Sequence, residues 1–229
     1  MTHDDRTATP EAPRIAVRGE AHIEAEPEIA RIGITVAARG TDRRTALEDL
    51  TRRNTHVLDL IKGYGDAIDT TATGALSITP ELTKRGRGER VRTHHGRVHI
   101  TADLTDFTAL GELTTRLADL DLTSVEGPWW SLRPSSPVHA RARQQAVREA
   151  VQRAREYAEA LGTTLAALIE IADIGADDFA PARAPRGMMR SAAFTGAEAD
   201  PAPALDLEPQ RQHVRAQVNA RFTMHPPTL

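Results

Sequence analysis

The chain opens with two period-two segments, Arg14 to Ala25 and Ile29 to Arg39, and closes with a third, His213 to Met224; every helical pattern lies between them. In the first, Ile15, Val17, Gly19, Ala21 and Ile23 alternate with Arg18, Glu20, His22 and Glu24. In the last, Val214, Ala216, Val218, Ala220 and Phe222 alternate with Arg215, Gln217, Asn219 and Arg221. Alternation of this kind gives a strand one buried face and one wet face. A lone C-terminal strand has no sequence neighbour to pair with. It is therefore expected to join a sheet built from the two N-terminal strands, which read as a hairpin, and so to close the chain into one domain over residues 14–224.

The intervening chain supplies helices and further strands. Thr41 or Asp42 can cap a helix with Leu47, Leu50, Val57, Leu58 and Ile61 on one side, ending near Gly63. Thr70 to Thr83 and Arg90 to Leu104 read as a strand pair around the charged tip Lys84 to Glu89. Asp106 starts a short helix bearing Phe107, Leu110, Leu113 and Leu117, and a strand follows near Ser124 to Leu132. Ser136-Pro137 begins the longest helix, which stops at Gly162. Its apolar stripe is mostly alanine, which predicts a close approach to a sheet. Leu165 to Ile174 reads as another strand. Residues 175–210 lose periodicity and fill with Ala, Pro, Gly and Met, so they are expected to be a flexible loop; residues 1–13 and 225–229 are expected to be tails.

Composition excludes several functions. With no cysteine among 229 residues, disulfides, thiolate metal sites and thiol nucleophiles are ruled out. A formal charge of -3 argues against a nucleic-acid-coating protein, so nucleic acid is not an expected partner. No window reaches the roughly 18 apolar residues of a membrane span, and the polar N-terminus lacks a signal-peptide apolar run, so the expected compartment is the cytoplasm.

The order of elements, together with two local patterns, resembles the SIMPL-domain family. Ile15-Ala16-Val17-Arg18-Gly19-Glu20-Ala21, followed by Ala25-Glu26-Pro27-Glu28-Ile29-Ala30, is similar to that family's entrance segment. Ala142 to Val147 and Ala154 to Gly162 are similar to its long alanine-rich helix. The resemblance implies an α+β fold, a mixed, antiparallel-rich sheet with helices packed on it, including one long helix in the C-terminal half. It also implies self-assembly into a homo-oligomer, a protein partner, and a role in stress response or binding. It implies no catalytic residue and no cofactor.

Candidate chemistry is sparse. Walker, dinucleotide-binding, His-Glu-x-x-His and Gly-x-Ser-x-Gly patterns are absent. His95 and His99 share one face of a strand and are the weak candidates for a metal or for a hydrolytic enzyme, although Arg97 puts positive charge between them. The basic run from Lys84 to Arg97 lacks aromatic residues to stack on bases, so edge protection is its favoured reading. The stronger expectation is a non-enzymatic binding or assembly module. Its surface comprises Trp129 or Trp130, which adjacency sends to opposite faces, the side of the long helix carrying Arg141, Arg148 and Arg155, and the adaptable thioethers of Met188 and Met189.

Overall fold

The structure, a computed structural model, describes residues 11–83, 90–173 and 205–228. Its elements in chain order are β1 (Arg14–Ala25), β2 (Ile29–Gly40), α1 (Arg43–Lys62), β3 (Ile68–Thr83), β4 (Arg90–Leu104), α2 (Phe107–Ala118), β5 (Thr123–Ser131), α3 (Pro137–Ala160), β6 (Leu165–Asp173) and β7 (Gln212–Met224). The fold is α+β, and its strands form two sheets, ordered β1-β7-β6 and β3-β4-β2-β5. The described residues fall into two compact units: 11–25, 134–173 and 213–228 in one, 26–83, 90–133 and 205–212 in the other.

The tail strand β7 does lie beside β1, yet the opening hairpin does not form: β1 and β2 belong to different sheets. The physical reason is visible in β2, which pairs along both edges, with β4 on one side and β5 on the other. A hairpin with β1 would have taken one of those edges. Alternation reports which face of a strand is wet; it carries no record of the neighbour.

In the second unit the chain runs β2-α1-β3-β4-α2-β5 and the sheet is antiparallel throughout, a split β-α-β arrangement. Asp42 caps α1 by accepting from the Thr45 N–H at 2.9 Å, and Asp106 caps α2 by accepting from Thr108 and Ala109. Both helices cover the same sheet face. Leu50, Val57 and Ile61 of α1, with Leu110, Leu113 and Leu117 of α2, pack on Ile32, Ile34, Val36, Val98, Ile100 and Leu104.

The first unit uses smaller residues. Met224 donates its N–H to the Pro13 carbonyl at 2.9 Å, and His213 stands 3.7 Å from Glu24, so β7 runs antiparallel to β1. On α3 the buried positions Ala142, Ala146, Ala150, Ala154 and Ala158 recur every four residues. They let the helix backbone press on β1: a β-carbon at Gly19 would lie 2.0 Å from the Ala146 carbonyl oxygen. Glu149 accepts the Glu20 N–H at 2.7 Å, and Arg153 donates to the Arg18 carbonyl at 2.8 Å. Leu161, at the C-terminal end of α3, is 38% exposed, one turn beyond the last buried alanine, Ala158.

Candidate interaction surface

In the second unit no helix among the described residues covers the sheet face that carries the odd-numbered residues of β2 and β4. The registers set Arg31 opposite Asp103, Gly33 opposite Thr101, Thr35 opposite His99, Ala37 opposite Arg97 and Arg39 opposite His95. On this face Arg31 grips Asp103 through two hydrogen bonds of 2.6 and 2.7 Å, and Thr70 donates to the same carboxylate at 3.0 Å. The Arg31 guanidinium holds the Asp103 carboxyl below the usual carboxylate range, against the upward push of burial, with Thr70 assisting.

Beside that pair sits Trp129, 50% exposed. A β-carbon at Gly33 would meet two benzo-ring carbons of Trp129 at 3.3 Å and the His99 ring at 3.0 Å. Glycine therefore leaves the place that the indole and the imidazole fill from either side, a close approach that a strand glycine permits. Trp130 goes the other way: it meets Phe107 edge-on, ring centroids 4.8 Å apart, and packs against the core. Of the two rings, Trp130 is the one that faces the core. The adjacency argument separates the two rings; only the position of α2 says which one is covered.

The strand histidines are not brought together. Four residues of strand separate His95 from His99 by about 13 Å, too far to share an ion. His95 bonds Glu81 at 2.8 Å, and that contact, with help from Thr93, holds the Glu81 carboxyl below its ordinary range. His99 bonds the Thr35 hydroxyl at 3.3 Å. Among the described residues no group of three or more His, Cys, Asp or Glu side chains is placed to hold a metal.

Arg141, Arg148 and Arg155 stand exposed on α3, without an ion pair among the described residues. Met188 and Met189, the 175–210 loop reading over residues 175–204, and the Lys84 to Glu89 tip lie outside the described residues. Sequence reasoning missed Gly33, Arg31 and Asp103. A glycine in the middle of a strong strand is the one signal that pointed to a close approach there.

A family profile described as SIMPL, a protein of unknown function (DUF541), matches residues 15–222. The 26 kDa periplasmic immunogenic protein of Brucella melitensis is 26% identical over 173 residues, 72% of this chain and 68% of that protein. Its namesake in Brucella abortus is also 26% identical, with the same coverage. The uncharacterized protein YggE of Edwardsiella ictaluri is 24% identical over 158 residues, 68% of this chain and 66% of that protein. None of these three is named as an enzyme. Two of them are named as periplasmic, which overturns the expected cytoplasmic location. Cysteine content does not decide between the two compartments, because a chain without cysteine folds under oxidising and reducing conditions alike. No helix among the described residues is long and apolar enough to cross a membrane.

Proposed function

This chain belongs to the SIMPL family, and from that membership we propose that it is a non-enzymatic binding and assembly module of the periplasm. A second copy of the chain is the first partner to consider. The compartment is carried over from the names of its relatives. The binding role rests on one observation: Trp129 lies half-exposed, seated over Gly33, on a sheet face that no helix among the described residues covers. Tryptophan is enriched where interface binding energy concentrates, because it offers a large rigid area at low entropic cost. The surroundings suit a protein surface. Arg39 and Arg97 carry charge on the same face without an ion-pair partner among the described residues, while Arg31 is already neutralised by Asp103.

Light scattering on a concentration series tests this. The parent chain is expected to show a mass above that of one chain, and Trp129→Ala to lower it at equal concentration with the circular dichroism spectrum unchanged. A folded Trp129→Ala variant with the parent's mass removes the interface role from this residue.

A further inference from the structure

In the first unit α3 leaves part of its own sheet bare. Its alanine stripe seats it against β1, and the apolar layer beneath continues past it, through Phe222 of β7, onto β6. Leu165, Leu168 and Ile171 of β6 lie opposite Met224, Phe222 and Ala220, so all three share the face on which α3 packs. Leu168 and Ile171 nevertheless stay 54% and 46% exposed. Between helix and strand runs a groove of about 480 Å³, with Leu165, Leu168 and Phe222 as its floor, Val151 and Ala158 on the helix wall, and Arg155 at its rim.

Aliphatic side chains left in water mark a binding surface when they are contiguous. The groove has the size of a small-ligand site, with an apolar floor for a hydrocarbon tail and Arg155, Glu159, Thr163 and Thr164 as the polar part of its lining. The guanidinium of Arg155 has no carboxylate partner among the described residues, and Arg148 and Arg141 extend the positive charge along the helix. Glu159 lines the same groove without pairing to Arg155. The other large cleft, about 540 Å³ and lined by Arg52 and Arg53, differs in kind, because Asp49 already holds both arginines.

We propose that the groove between α3 and β6 binds a single-chain anionic amphiphile, its tail along Leu165, Leu168 and Phe222 and its headgroup on Arg155. The tail removes the exposed aliphatic surface from water, and the headgroup supplies the charge that Arg155 lacks. This site is separate from Trp129, which lies in the other unit.

Calorimetric titration of the full chain tests it, with octanoate, dodecanoate and dodecyltrimethylammonium each kept below its micelle threshold. Dodecanoate is expected to bind at one site, about tenfold or more tighter than octanoate and tighter than the ammonium amphiphile. Arg155→Gln is expected to bring the two headgroups level while keeping the dependence on tail length, and Leu168→Glu to abolish binding; both side chains are exposed, and circular dichroism checks that each variant stays folded. Equal binding of both headgroups by the parent overturns the proposal, and tighter binding of the ammonium compound reassigns the rim to Glu159. The absence of heat from every amphiphile also overturns it, and if Leu168→Glu then changes the solution mass, the shelf belongs to a second copy. A mass that depends on Trp129 but not on Leu168 leaves the assembly reading standing whatever the titration shows.

Discussion

Gly19 and Asp103 show how single residues carry the two sheets. At Gly19 a methyl group would overlap the Ala146 carbonyl and the Ala150 backbone, neither of which is a flexible side-chain end. Gly19→Ala is therefore expected to destabilise the β1–α3 contact by about 1–3 kcal/mol or more, read as a lowered urea midpoint. At Asp103 the carboxyl titrates lower in the folded protein than in the unfolded chain, because Arg31 holds its charged form. Its contribution is thus fully present above the unfolded value, about 3.9, and is lost as pH falls through the lower folded value. Asp103→Asn is expected to cost about 2 kcal/mol at neutral pH and to flatten the acid limb of stability below pH 4. An unchanged acid limb in the variant would assign that pH dependence to other carboxylates.

Element boundaries follow from local chemistry, and here the sequence was legible. Asp42, Asp106 and the Ser136-Pro137 pair each cap the helix they were expected to start, because a cap is a contact within three residues. The packing of one element on another was harder to foresee. Trp130 couples β5 to α2 through its edge contact with Phe107, and nothing in its immediate neighbourhood distinguishes it from Trp129. Trp130→Ala is expected to lower stability by about 3–5 kcal/mol, and Trp129→Ala, which removes a half-exposed ring, to lower it less. Thermal unfolding of the two variants side by side checks this assignment; a larger loss from Trp129→Ala would reverse it.

For the chain as a whole, β7 is the central strand of its sheet, bonded to β1 on one edge and β6 on the other. Truncation after Arg211 removes both sets of bonds, and hydrogen exchange is expected to show protection lost from β1 and β6 while β2 and β4 keep theirs. Equal loss in both sheets would show instead that the two units unfold together. The amino-acid sequence by itself determined which segments are strands and helices, where each begins, and that β7 must return to β1, since these are set by side-chain periodicity and by contacts a few residues long. Only the tertiary structure decided that β1 and β2 part into separate sheets, that Trp129 rests on Gly33 while Trp130 enters the core, and that α3 leaves Leu168 and Ile171 of β6 exposed. Those outcomes depend on which edge and which face are occupied by residues far along the chain, and a strand's alternation is the same whichever neighbour it finds.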